Sequence, residues 1–531
     1  MTAAALRFAD PVVVGSGVAW LEQREDKVVV CAEDAALVVE GVEPAWARPG
    51  NGGVLAAGAE GSLWVLERSG GLQHLDGGAS PRRVLELRGA RQVTSSPSGG
   101  FVVVRSSSLA VVLDAVGRVI RAFSLEPFGE VYDAAVGDDG SVALGVAGAW
   151  EPWATGSVVV LEATGSLRVA VGGGGHSVVE PRWVEGAWWV RDDELGAHQP
   201  RLLAGESTAI PSPYDVGEYP LGPTRRGYVV RGDQVIGLVA AVEAPALVVR
   251  EGSGWRPWRD GAFTSLSFAG DELVGLEHTP WGQVLWRGST VLARVERDPG
   301  VLAIKPLTAL GLGSHGIAVV PPAPRGVCLA IHGGPIEQVG WPIPEKWLAA
   351  ARRGYLVVAP DYRGSYGYGR AFREQLVGGW GEQEVAELAE LVAALRGLVA
   401  GPVVGVGSSS AGWTLLQLAL REPDALDALS LVNPVLDASS LPDVAWLVAP
   451  SSRERAAQRF ARRIPVLITH GLADAVVPAE QSRRFAERTG DDLEVQLVTP
   501  PSEGHSLGSA ASAADVARFE ALLLGLASGR R

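Results

Sequence analysis

A serine, an aspartate and a histidine in the last quarter of the sequence have the types, chain order and settings that nucleophilic acyl transfer needs. The run Val403-Val404-Gly405-Val406-Gly407-Ser408-Ser409-Ser410-Ala411-Gly412-Trp413 reads as a buried strand, a tight turn of small residues and the start of a helix. A serine in such a turn is lifted off the backbone, and its neighbours must be small because strand and helix pass within contact distance of it. Gly-x-Ser-x-Gly is met in two partial registers: Ser409 has Gly407 before it and Ala411 after it, whereas Ser410 has Ser408 before it and Gly412 after it. Ser409 is the preferred nucleophile, since Gly407 then closes the strand and Ser410 supplies the first helical N–H. The same glycines fail as a phosphate loop, because no Lys-Ser/Thr follows them. Gly405-x-Gly407-x-x-Ser410 also lacks the third glycine of a dinucleotide fingerprint.

A serine nucleophile needs a base. Of the eight histidines, His315, His332, His470 and His505 lie in the same half of the chain. His505, in Ser502-Glu503-Gly504-His505-Ser506, falls in a loop after the last expected strand, from which an imidazole can reach back to the serine turn. His332 and His470 each precede glycine at a strand end and read as structural, and His315 reads as solvated. The acid should stand between serine and histidine in chain order. Asp474, in the loop His470-Gly471-Leu472-Ala473-Asp474, fits and would fix the imidazole tautomer; Asp437, one strand earlier, is the rival. Oxyanion donors are expected from the N–H of Gly334, in His332-Gly333-Gly334-Pro335, and from that of Ser410.

These groups must be carried by a sheet. From about residue 316 single apolar strands alternate with amphipathic helices, the grammar of a doubly wound parallel sheet. Strands are expected at 327–331, 356–359, 403–406, 428–431, 466–469 and 495–498, and helices at 347–353, 384–395, 413–421, 479–488 and 514–526. Residues 1–298 read instead as short Val-, Leu- and Trp-rich strands separated by turns such as Ser98-Gly99-Gly100, Asp138-Asp139-Gly140 and Ala269-Gly270-Asp271. Examples are 12–21, 63–66, 101–105, 109–113, 141–146, 157–161, 228–231 and 272–276. Strand groups begin near 10, 50, 95, 136, 180, 224 and 266, about 40 residues apart, the length of a four-stranded propeller blade. The expectation is an N-terminal all-β propeller of seven blades over 1–298, with a pair of β-sandwiches as the alternative, and a C-terminal α/β-hydrolase fold over 299–531. Asp298-Pro299-Gly300 and the Pro-rich 320–324 are the linker candidates.

A propeller followed by Ser409, Asp474 and His505 in that order resembles the prolyl oligopeptidase family of serine peptidases, especially its acylaminoacyl-peptidase and dipeptidyl-peptidase-like branches. The resemblance rests on His332-Gly333-Gly334-Pro335, on 361–369 (Asp361-Tyr362-Arg363-Gly364-Ser365-Tyr366-Gly367-Tyr368-Gly369) with Trp380-Gly381, on the serine turn, on His470-Gly471-x-x-Asp474-x-x-Val477-Pro478, and on Glu503-Gly504-His505. It covers roughly residues 316–510; the propeller half matches in architecture and length alone. It implies a catalytic triad, an acyl-enzyme, no cofactor, and a propeller that restricts access to short peptides or N-blocked amino acids. Two departures stand out: Ala411 where the family usually has glycine, and Glu384 and Glu387 where it usually has aspartates. No Glu-Glu pair of the dipeptidyl-peptidase kind occurs in 1–298, which leans toward acylaminoacyl or oligopeptide substrates. A carboxylesterase would share every one of these residues, and a catalytically silent binding protein is the third reading.

Composition narrows the partners. Hydrophobic residues make up 47% and charged residues 20% of the 531, so the chain is packed rather than disordered. A net charge of −14 has the wrong sign for nucleic acid or an anionic membrane. Lys27, Lys305 and Lys346 are the only lysines, leaving 43 arginines. Cys31 and Cys328 are too far apart in sequence for a spaced zinc or disulfide framework, and no basic segment precedes an apolar core in the first ten residues, so a cytoplasmic location is expected. A homo-oligomeric state is left open.

Overall fold

The computed structural model describes residues 7–14, 16–24, 27–33, 54–67, 69–76, 81–147, 156–172, 176–203, 214–217, 227–239, 241–242, 244–252, 254–441, 444 and 446–528. It divides into two compact units, residues 1–240 with 244–297, and residues 298–531 with the 241–243 segment.

The first unit is a seven-bladed β-propeller. Its antiparallel sheets span 7–32, 55–86, 92–124, 130–172, 178–202, 228–260 and 262–296, each a meander of strands in chain order. The expected blade starts near 50 and 224 fall outside the described residues. Gly99, Gly140 and Gly270 sit at φ of 71°, 75° and 58° in the turns expected of them, a region that glycine enters without a Cβ penalty. The expected strand 12–21 is instead a hairpin, Arg7–Val14 paired with Gly17–Arg24, because the chain reverses at Ser16. First and last blades close the ring by packing: Val18 and Trp20 join Ala269, Val274, Leu276 and Leu285 in one apolar cluster. A buried polar chain ties the third, fourth and fifth blades. Arg105 donates to Gln92 Oε1 at 2.6 Å and to the Tyr132 carbonyl at 2.6 Å, while Asp133 accepts from Gln92 at 3.0 Å and Arg182 at 3.1 Å.

The second unit is built on an eight-stranded sheet of β1 (Ala303–Pro306), β2 (His315–Val320), β3 (Gly326–Ile331), β4 (Tyr355–Asp361), β5 (Val403–Ser408), β6 (Ala428–Val432), β7 (Pro465–Thr469) and β8 (Glu494–Val498), in the order β1-β2-β4-β3-β5-β6-β7-β8. From β4 across to β8 the pairing is parallel. Besides a single helical turn at Arg370–Arg373, the helices are α1 (Glu345–Arg352), α2 (Gln383–Leu398), α3 (Ala411–Arg421), α4 (Pro450–Ala456), α5 (Glu480–Thr489) and α6 (Ser509–Ala527). β3 and β4 are buried along their whole length and β5 over its first four residues, as continuous apolar runs between helical layers require. The segment 320–324 is no linker: it is the β2–β3 connection inside this unit. His315, expected in solvent, opens β2 and stacks on Tyr368 at 4.2 Å. Among the described residues no helix is long and apolar enough to cross a membrane.

Candidate active site

Every candidate residue lies just past the C-terminal end of a parallel strand, the edge where sheets of this kind expose their loops. Ser409 follows β5, Asp474 lies in the loop after β7, and His505 lies in the loop after β8. The structure joins them in one line. The Ser409 hydroxyl donates to His505 Nε2 at 3.2 Å, and His505 Nδ1–H donates to Asp474 Oδ2 at 2.8 Å.

Ser409 sits at φ 54°, a left-handed conformation that serine adopts at a cost. Two backbone bonds hold it there: Ser409 N–H to the Val432 carbonyl at 3.1 Å, and Val435 N–H to the Ser409 carbonyl at 2.8 Å. The next hydroxyl, on Ser410, is buried without a hydrogen-bond partner among the described residues, so it is Ser409 that faces the imidazole. Small neighbours are required for a geometric reason. A Cβ on Gly407 would stand 2.4 Å from the Ala411 methyl, and one on Gly412 would stand 2.5 Å from Pro434 Cβ. Ala411 therefore fits because Gly407 leaves room for it.

Asp474 is held from both sides. Its Oδ1 accepts from the Val476 and Val477 N–H groups at 2.8 and 2.9 Å, and its Oδ2 lies 3.4 Å from His470 Nε2 as well as taking the His505 bond. Burial works to raise its pKa, but hydrogen bonds from His470, His505 and Val477 outweigh it and hold the carboxyl well below the usual range. Asp474 is thus ionised at neutral pH. His470 is structural in the expected sense, with its Nδ1 bonded to the Ser482 hydroxyl at 2.7 Å and its Nε2 donating to the Val477 carbonyl at 2.9 Å. Asp437, the rival acid, is exposed and accepts from Ser439 N–H at the start of a single 3-10 turn.

On the other side of Ser409 runs the His332-Gly333-Gly334 turn after β3. A Cβ on Gly333 would lie 3.8 Å from Ser409 Cβ, so this peptide passes beside Ser409. His332 Nδ1–H donates to the Gly333 carbonyl at 2.7 Å. In a trans peptide C=O and N–H point oppositely, so that bond directs the Gly334 N–H away from the imidazole. Gly334 itself, at φ 118°, must be glycine. His332 is fixed in turn by the Ser365 hydroxyl at 2.8 Å and by stacking on Tyr362 at 4.4 Å and 9°, and burial pushes its pKa down to about 4. Tyr362 bonds the Pro335 carbonyl at 2.9 Å, and Asp361 takes Val339 N–H at 2.6 Å. The 361–369 segment is thus the support of the glycine turn. The Ser410 N–H lies in the open first turn of α3, where helical N–H groups lack intrahelical acceptors.

The two glutamates that depart from the resembled pattern also have structural tasks. Glu384 is buried, accepts from Gly381 N–H with both oxygens at 2.8 and 3.0 Å, and takes the Thr414 hydroxyl of α3 at 3.0 Å. Glu387 accepts from the N–H and Nε of Arg363 at 2.9 and 3.2 Å. Sequence reasoning missed Asn433, discussed below; an Asn-Pro pair at the end of β6 was its available signal.

A serine turn between a central parallel strand and a helix, with an aspartate and a histidine on later loops at the same sheet edge, is the layout of an α/β-hydrolase fold. Residues 345–525 match the profile of the prolyl oligopeptidase family, so this unit carries a peptidase domain of that family. Dipeptidyl aminopeptidase BIII of Pseudoxanthomonas mexicana is 28% identical over 214 residues, which cover 34% of this chain and 30% of that protein. The chain therefore aligns with less than a third of that relative's length. Among solved structures, a puromycin-hydrolyzing peptidase of Mycobacterium tuberculosis superposes with a TM-score of 0.78 at 23% identity, over 98% of this chain and 94% of that one. An acylaminoacyl peptidase of Pyrococcus horikoshii superposes at 0.74 and 14%, over 99% and 95%. These likenesses span both units and extend the shared fold to the propeller.

Proposed function

We propose that the chain is a serine peptidase that hydrolyses short peptides, with acylaminoacyl or oligopeptide substrates, through Ser409, His505 and Asp474. The observation that carries this reading is the unbroken hydrogen-bonded line from Asp474 through His505 to a serine held at positive φ. Ser409 Oγ attacks the amide carbonyl carbon as its proton passes to His505 Nε2. The negative carbonyl oxygen of the tetrahedral intermediate is taken by the Gly334 and Ser410 N–H groups. The C–N bond then breaks, with the proton on His505 going to the leaving amine, and an ester to Ser409 remains. Water adds to that ester, gives its proton to His505, and releases the carboxylic acid and the serine hydroxyl. Asp474 keeps the imidazole in the Nδ1–H tautomer and stabilises the imidazolium. No step calls for a cofactor.

The test is a fluorophosphonate label followed by a panel of blocked and free aminoacyl anilides, dipeptidyl anilides, puromycin and simple esters, the last separating peptidase from esterase. The label should attach to Ser409, and blocked or short peptide amides should turn over faster than matched esters relative to their uncatalysed rates. Labelling with ester turnover alone would favour the carboxylesterase reading. The gating role proposed for 1–298 rests on the family resemblance and predicts rapid cleavage of short peptides with little of a casein-sized chain; equal rates would remove it.

A further inference from the structure

We propose that Asn433 is the positioning residue that holds the Asp474 loop and the His505 loop in register with each other and with the Ser409 turn. This inference rests on the triad reading above. Asn433 follows β6, between the strand that leads to the serine and the strand that leads to the acid, and is buried. Its Oδ1 accepts from Gly471 N–H at 2.8 Å, at the root of the acid loop. Its Nδ2 donates to the carbonyls of Gly504 at 3.2 Å and of His505 itself at 2.6 Å. Its own N–H bonds the Thr469 carbonyl at 2.8 Å, the last residue of β7. The residue before it, Val432, takes the Ser409 N–H, and Val435 gives its N–H to the Ser409 carbonyl. One turn of four residues thus touches all three functional loops.

The side chain has to be an amide. One loop presents a donor and the other presents two acceptors, so a single group must accept with one atom and donate with its neighbour, which aspartate and leucine cannot do. The backbone narrows the choice further: at φ 46° asparagine is among the few side chains tolerated. The two loops also leave no slack between them. A Cβ on Gly471 would meet the Glu503 carbonyl at 2.3 Å, and Ala473 N–H already bonds that same carbonyl at 2.9 Å. A shift of either loop therefore changes the Asp474 to His505 distance directly, and displacements near 1 Å in such sites cost about 10²-fold in rate.

The test uses Asn433→Gly, which keeps the left-handed backbone without strain, and Asn433→Asp, which keeps one acceptor and loses both donors. For each, kcat and KM on a peptide anilide and the second-order rate of fluorophosphonate labelling are measured at a temperature where circular dichroism shows the fold intact. Should Asn433→Gly melt below that temperature, Asn433→Asp carries the comparison. The expected result is a fall of about 10² to 10³ in both kcat and labelling rate with KM within about threefold. In an Asp474→Asn background, Asn433→Gly should lower the residual rate by less than about threefold, since the two changes break one alignment. Wild-type labelling with an unimpaired Asn433→Gly, or full additivity with Asp474→Asn, overturns the Asn433 assignment alone. A wild type that takes no label overturns the triad reading and this inference with it.

Discussion

At the residue scale the two adjacent serines make the sharpest contrast. Ser409→Ala removes the oxygen bonded to His505 and should abolish labelling and lower turnover by about 10⁴ to 10⁶, and Asp474→Asn should cost about 10⁴ by leaving the imidazole in the wrong tautomer. Ser410→Ala should be harmless or slightly stabilising in a thermal melt. Its hydroxyl is buried without a partner, and its N–H survives the change. A dead Ser410→Ala beside an active Ser409→Ala would reverse the register. The sequence left this register open because both Gly-x-Ser-x-Gly readings were half met, and small residues flank each serine alike. What separates them is a dihedral angle and the direction of a hydroxyl, neither of which residue types encode. His505 and Asp474 were legible because chain order and strand ends fix where a base and an acid can stand. Asn433 was not, since its task consists of bonds to backbone groups sixty and more residues away in part, and a lone Asn-Pro reads as an ordinary turn.

At the scale of elements, the end of β3 and the start of α2 carry buried ionisable groups shifted in opposite senses. His332 has its pKa pushed down to about 4, so between that value and the usual 6.5 the unfolded chain binds a proton that the folded one refuses. Stability from this group is present at neutral pH and is lost as pH falls through that window. Glu384 has its pKa raised, chiefly by burial, from 4.5 to about 7, so the folded chain holds a proton that the unfolded one has released. That contribution is present at low pH and is lost as pH rises through the window. The wild type should therefore show a nearly level melting temperature between about pH 4.5 and 6.5. His332→Gln should make the melt fall as pH rises there, and Glu384→Gln should make it fall as pH drops; unchanged profiles in both would refute the pairing. The α/β elements themselves were readable to within a few residues, because fully buried strands and amphipathic helices write distinct periods into the sequence. The antiparallel strands β1 and β2 were missed as strands: β1, at the sheet edge, has only four residues, and β2 runs straight into the Pro-rich 320–324, so it read as lying before the sheet.

At the scale of the whole molecule, seven sheets were anticipated from spacing alone, since each blade must bury its faces against two neighbours and so repeats at a fixed length. Spacing could not reveal that the third to fifth blades are joined by Arg105, Gln92, Asp133 and Arg182. Burial lowers the Arg105 pKa to about 10, which still leaves the guanidinium charged at neutral pH. Asp133→Ala would take one of two carboxylates from Arg182, which keeps Glu180, and one acceptor from Gln92, which keeps Thr94 and the Ala134 carbonyl, and should cost about 1 to 3 kcal/mol in a denaturant melt; a loss under about 0.5 kcal/mol would show the chain of bonds to be dispensable. The serine at positive φ has a different kind of consequence. A left-handed position in a turn of small residues is one that stability by itself would assign to glycine, at a saving of about 1 kcal/mol or more. Ser409→Gly is therefore expected to raise the melting temperature while it removes the hydroxyl bonded to His505, so this position sets stability against the group it presents at the end of β5.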